Sequence, residues 1–152
     1  RHIKVLEKEL QAISDDIGSL VRGSPVWRAH EDLMVSVPGV ADKTSSSLLA
    51  EVPELGRLTR RHIASLVGVA PFTRQSGRWK GKSMIAGGRA AARTAIYMAA
   101  LSASQHNPVL KAFYQRLLAA GKPKMVALIA VARKLLTILN AMIRDQTPWQ
   151  HA

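Results

Sequence analysis

The sequence predicts an all-α fold, and three observations carry that expectation. Apolar residues recur at spacings of three and four over residues 1–22 and again over residues 124–144, the period of a helix face. Residues 89–104 are rich in alanine, the residue of highest helix propensity. No run alternates apolar and polar in the manner of a half-buried strand, apart from a small hairpin candidate around residues 72–85.

The first element is an amphipathic helix whose stripe is Ile3, Leu6, Leu10, Ile13, Ile17, Leu20 and Val21, with Glu7, Lys8 and Asp16 off it. A stripe of this length sits at the lower limit for a coiled coil. Two readings stand: a coiled coil that self-associates, or a helix packed on the rest of the chain. Gly23–Ser24–Pro25 ends it, so residues 1–30 read as helix plus linker. A domain over residues 31–145 and a tail over residues 146–152 follow.

Within residues 31–66, a short helix meets Val37–Pro38–Gly39–Val40–Ala41, and a second helix follows with Asp42 as its expected N-cap. This resembles the helix-hairpin-helix motif, in which such a turn offers backbone amides to a DNA phosphate at a helix start. Gly39 and Lys43 are the candidate phosphate contacts. Ala41 stands where the motif usually has its second glycine, and a plain helical corner is the alternative reading. Residues 58–69 read as another helix, with Leu58, Ile63, Leu66 and Val67 inside.

Residues 71–88 are the least regular and most polar stretch, too charged and glycine-rich for a core. The alanines of residues 89–104 allow another helix, or a DNA backbone, to approach closely. Asn107–Pro108 opens a helix over residues 109–120, Gly121–Lys122–Pro123 turns the chain, and residues 124–144 form the expected core helix. Tyr97, Met98 and Leu101 are its expected packing partners.

Charge divides the chain of 152 residues in two. Residues 56–144 contain no aspartate or glutamate but sixteen lysines and arginines, within a net charge of +12. A one-sided cationic field of this kind is the footprint of a nucleic-acid binder. There is no cysteine, which excludes a disulfide framework and a thiolate metal site and fits a reducing cytoplasm. No uninterrupted apolar run has the length of a membrane span, so no membrane partner is expected. The chain begins with Arg1, and reads as part of something longer.

The acids also bound the chemistry. Metal-dependent cleavage of DNA uses clustered carboxylates. Nine of the ten acids lie at helix-surface or cap positions of the first helix and the hairpin, none within the basic half, and the five histidines are scattered. No metal site is expected in this chain. A hydroxyl nucleophile surrounded by cations is the alternative route to a phosphodiester. Ser76 stands beside Gly77, between Arg74 and Arg78, with Lys80 and Lys82 following. The same string also suits a loop whose serine only donates a hydrogen bond to phosphate, so a catalytic and a purely binding reading both stand. Tyr97 and Tyr114, the other conceivable nucleophiles, have apolar helical neighbours.

The string Leu66–Val67–Gly68–Val69–Ala70–Pro71–Phe72–Thr73–Arg74–Gln75–Ser76–Gly77, with Val37–Pro38–Gly39–Val40 before it and Arg89, Arg93 and Ala99–Ala100 after it, resembles the C-terminal transposase domain of the insertion-sequence one-ten family. The likeness covers about residues 33–145, and the N-terminal stripe matches the coiled coil that precedes this domain. The resemblance implies a DNA recombinase whose RuvC-like domain, absent here, holds a divalent metal on an Asp-Glu-Asp-Asp set. It implies a structured guide RNA as a partner. It implies that Ser76 is a nucleophile forming a covalent 5′-phosphoserine link to DNA. Arg78, Lys80, Lys82 and Arg93 match its nucleic-acid contacts, Arg89 is grouped with them, and Gly88 matches its helix-start glycine. A lysine common near that helix start is Ala86 here. The alternative to this recombinase reading is a non-catalytic nucleic-acid-binding module.

Overall fold

The computed structural model describes residues 2–73 and 75–150, and the Lys80 side chain lies outside that description. Among the described residues there are seven helices: α1 (His2–Gly23), α2 (Pro25–Val35), α3 (Asp42–Glu51), α4 (Arg60–Val67), α5 (Ala90–His106), α6 (Pro108–Ala119) and α7 (Lys124–Asp145). Four two-residue strands lie between α4 and α5: β1 (Pro71–Phe72), β2 (Gln75–Ser76), β3 (Trp79–Lys80) and β4 (Met84–Ile85). The body is all-α, and the strands form one slender double hairpin.

The body is built around α5 and α7. α5 packs on α3, α4, α6 and α7, and α7 also packs on α2, α4 and α6. The buried side of α5 is Ala92, Ile96, Ala99, Ala100 and Ala103, so its small residues admit neighbouring helices. The α7 stripe of Leu128, Val131, Leu135, Leu136, Leu139 and Ile143 is buried. α7 is apolar and long enough to cross a bilayer by composition alone, but its most apolar window is 56% buried, as befits a core helix. Tyr97 and Leu101 are half-buried as expected, whereas Met98 is exposed.

Helix ends follow local chemistry. Ser24 caps α2 by accepting from the Trp27 N–H, with Pro25 in the first turn. The expected linker over residues 24–30 is therefore mostly the first turns of α2: serine followed by proline starts a helix as well as it ends one. Thr59 caps α4 and buried Asn107 caps α6, accepting from Val109 and Leu110. At α3 the N-cap is Ala41, in extended geometry and without a side-chain cap, and Asp42 is the first helical residue. The carboxylate thus acts on the helix dipole from within the first turn and does not cap the end.

Two contacts fix the loop between α3 and α4 to α7. Buried Asn140 accepts from the Gly56 N–H at 2.8 Å and donates to the Leu58 carbonyl at 2.8 Å. Gly56 has φ +87, and a Cβ there would lie 2.7 Å from Ile143 Cγ2. At the other corner Gly39 has φ +101, and its missing Cβ is replaced by the backbone of Ala103, 2.5 Å from where that atom would be. Glycine at position 39 is required by the packing of this turn on α5.

The apolar stripe of α1 is mostly open. Val21 is its one buried residue, while Ile3, Leu6, Leu10, Ile13, Ile17 and Leu20 are exposed. The second half of α1 runs beside α3, leaving a groove lined by Leu10, Ile17, Trp27, Lys43 and Ala50. Packing on the domain therefore accounts for the end of the stripe and not for its length.

Candidate nucleic-acid interface

Gly68 ends α4 in the left-handed region at φ +82, donating to the Ala64 and Ser65 carbonyls. From there the chain leaves the body as an arm. β1 pairs antiparallel with β4, Phe72 opposite Met84. Beyond them β2 pairs with β3, with Gln75 opposite Lys80 and Ser76 opposite Trp79. Gly77–Arg78 is the connecting turn, with Gly77 at φ +59, the residue favoured first in a two-residue hairpin turn. Thr73 and Ser83 join the two legs through their hydroxyls at 2.9 Å. Among the described residues the strands pack only on one another and on no helix.

The arm is therefore held at its root. A Cβ on Gly88 has no room against the Gly68 backbone, and one on Gly68 would collide with the Gly87 carbonyl and the Arg93 guanidinium. The two legs touch backbone to backbone, which only glycine permits. The Arg89 N–H donates to the Leu66 carbonyl at 2.9 Å, joining the legs again. Arg93, one turn into α5, donates to the Gly87 carbonyl at 2.5 Å.

A charged clasp completes the root. Arg89 forks onto both carboxylate oxygens of Glu54 at 2.7 Å, and the same Nη1 donates to the Glu51 carbonyl at 2.6 Å. Bidentate guanidinium–carboxylate pairs are the geometrically specific kind. The Arg89 hydrogen bonds, helped by a backbone N–H, hold the Glu54 carboxyl down from 4.5 to about 2, and Arg89 is raised in turn. The end of α3 is thereby tied to the start of α5, where the arm returns.

The candidate residues fall into three places. Ser76, Arg78, Lys80 and Lys82 lie on the arm, and Ser76, Arg78 and Lys82 are exposed. Arg74, expected among them, lies outside the described residues. Arg89 and Arg93 sit at the root, with donors already engaged by Glu54 and Gly87. Gly39 and Lys43 are at the corner between α2 and α3. There Asp42 places a carboxylate in the first turn of α3, where a bound phosphate would otherwise meet the helix dipole.

Sequence reasoning passed over two features. Glu54 reads in the sequence as one more surface acid, yet it anchors Arg89. Trp79 is 62% exposed on β3, and its position between Arg78 and Lys80 was the available signal, an aromatic interleaved with cations.

The Ser76 hydroxyl has no hydrogen-bond partner among the described residues. No group of three or more histidines or acids gathers among the described residues.

Fold and arm together define a class: a helical body that presents a cationic, serine-bearing hairpin from a glycine root. The chain belongs to the transposase IS116/IS110/IS902 family, whose family model matches residues 31–115. It is 29% identical over 147 residues to the 43.6 kDa protein of insertion element IS110 of Streptomyces coelicolor, covering 95% of this chain and 35% of that protein. It is 30% identical over 152 residues to a pilin gene-inverting protein of Moraxella bovis, covering 97% of this chain and 47% of that one. A protein of insertion element IS900 from Mycobacterium paratuberculosis is 29% identical over 154 residues, with 97% and 38% covered. The chain thus spans between about a third and a half of the length of the curated relatives it matches.

Proposed function

We propose that this chain is the DNA-binding and strand-exchange portion of a transposase or recombinase, and that Ser76 is its nucleophile. One observation carries the reading. Ser76 stands exposed beside the turn of an arm bearing Arg78, Lys80 and Lys82, in a half of the chain without a single carboxylate. The Moraxella relatives are named for inverting a pilin gene, which is a rearrangement of DNA.

In the proposed step the Ser76 Oγ attacks a backbone phosphorus. An Oγ–P bond forms, the P–O3′ bond breaks, and the product is a 5′-phosphoserine link and a free 3′-hydroxyl. The serine proton passes to a base outside the described residues, and the leaving oxygen takes up a proton. Arg78 and Lys82 offset the negative charge that builds on the non-bridging oxygens, where fixed cations act most strongly. The chemistry of a divalent metal, where the family reading requires it, belongs to a RuvC-like portion outside this chain. DNA is the substrate, a structured guide RNA is a proposed second partner, and the setting is the bacterial cytoplasm. The open stripe of α1 favours self-association as a coiled coil.

The test compares Ser76→Ala and Ser76→Cys in the recombination-competent protein. The expected result is loss of recombination in Ser76→Ala with DNA affinity unchanged. Full recombination by Ser76→Ala would leave the non-catalytic binding module as the function.

A further inference from the structure

Ser76 and Trp79 face each other across the β2–β3 pair. Directly opposed residues of an antiparallel pair place their side chains on the same face, with Cβ atoms about 4.5–5.5 Å apart. Trp79, 62% exposed, therefore shares a face of the hairpin with Ser76. Nearer the root, Phe72 and Met84 form a second opposed pair, exposed by 49% and 70%. Three exposed apolar side chains, Phe72, Trp79 and Met84, thus lie on an arm whose strands touch no helix among the described residues.

The charge of the arm selects what covers this surface. Arg78 and Lys82 are exposed around it, and no acid occurs in residues 56–144. The occupant must combine a flat apolar face with negative charge. An intact duplex offers phosphates but hides its base faces in the stack. An unpaired nucleotide offers both, and base–aromatic stacking is indifferent to sequence because every base has a π-face.

We propose that Trp79 is a stacking platform for an unpaired base beside the phosphate presented to Ser76, so that the arm takes a locally unpaired strand in preference to intact duplex. The proposal rests on the reading of the arm as a nucleic-acid interface, and not on the nucleophilic role of Ser76. Phe72 and Met84 are a separate exposed apolar pair nearer the root.

The experiment titrates the chain with a single-stranded oligothymidylate, a duplex of equal length and inorganic polyphosphate, reading tryptophan emission and affinity. The single strand is expected to quench a component of the emission that is missing in Trp79→Phe, and polyphosphate is expected to leave that component alone. Trp79→Ala is expected to weaken single-strand binding about tenfold, with Trp79→Phe within about threefold of wild type because it keeps a π-face. Duplex and polyphosphate affinities are expected to change less than about twofold in Trp79→Ala, since they rest on the cations. Equal quenching by polyphosphate, or an equal loss for strand and duplex, would overturn the proposal while leaving the interface reading intact. Binding of none of the three at low salt would overturn both.

Discussion

Gly68 and Gly88 touch backbone to backbone at the root of the arm, with no space for a Cβ on either. Every residue of the arm lies between them, and the strands beyond them contact no helix among the described residues. The arm is thus joined to the body at this contact and at the clasp beside it.

Gly88→Ala tests the contact. Residue 88 has φ +73, so alanine adds backbone strain to a collision with Gly68. The expected loss is about 1–3 kcal/mol of stability, read by urea unfolding, together with reduced recombination. Gly77→Ala is the control. It also carries positive φ, but a Cβ there meets nothing within 4 Å, so only the conformational cost of about 1–2 kcal/mol applies. Equal effects at the two positions would show that the close approach contributes nothing.

The clasp gives a pH signature. Glu54 has its folded-state pKa lowered from 4.5 to about 2. A depressed carboxyl contributes stability that is fully present above its ordinary pKa and lost as pH falls through the folded value. The stability difference between wild type and Glu54→Gln should be constant above about pH 4.5 and shrink toward pH 2. Unfolding measured at a series of pH values checks this, and a difference that ignores pH across that window would contradict it.

Asn140 bridges positions far apart in sequence, accepting from Gly56 and donating to Leu58 from within the core. Asn140→Ala removes both bonds and leaves a partly buried N–H and carbonyl unmatched. The expected cost is about 2–3 kcal/mol in urea unfolding. A change below about 0.5 kcal/mol, the scale of ordinary surface substitutions, would mean that the loop is held by other contacts.

The open stripe of α1 predicts concentration-dependent association. Leu10→Glu with Ile17→Glu places charge on exposed stripe positions and should yield a monomer of unchanged helical content. Sedimentation velocity of both proteins decides it. A wild-type chain that remains monomeric at high concentration contradicts the pairing.

The sequence made the helices legible and left their connections hidden. The α7 stripe and the alanine face of α5 follow from local period and propensity, which act within a few residues. Ser24–Pro25 was ambiguous because the same pair that stops α1 also caps and starts α2. Glu54 and Arg89 lie 35 residues apart, and Asn140 lies 84 from Gly56, so no local pattern could pair them. Ser76, Arg78 and Lys82 could be placed together because they share one hairpin. Gly39 illustrates the converse: its need for glycine comes from Ala103 on another helix, a contact that no local motif reveals. For Trp79 the cations on either side are a local signal, whereas its degree of exposure is decided by what packs on the arm.

The central claim is that Ser76 becomes joined to DNA, and the most direct measurement is the identity of the joined residue. Recombination-competent protein is denatured during turnover, digested with nuclease and trypsin, and examined by mass spectrometry. Cleavage after Arg74 and Arg78 releases Ser76 on the peptide Gln75–Arg78. A nucleotide phosphate on that peptide, absent in Ser76→Ala, is the predicted result. A nucleotide on any other peptide, or active recombination with no protein-linked nucleotide at any time, would contradict the account.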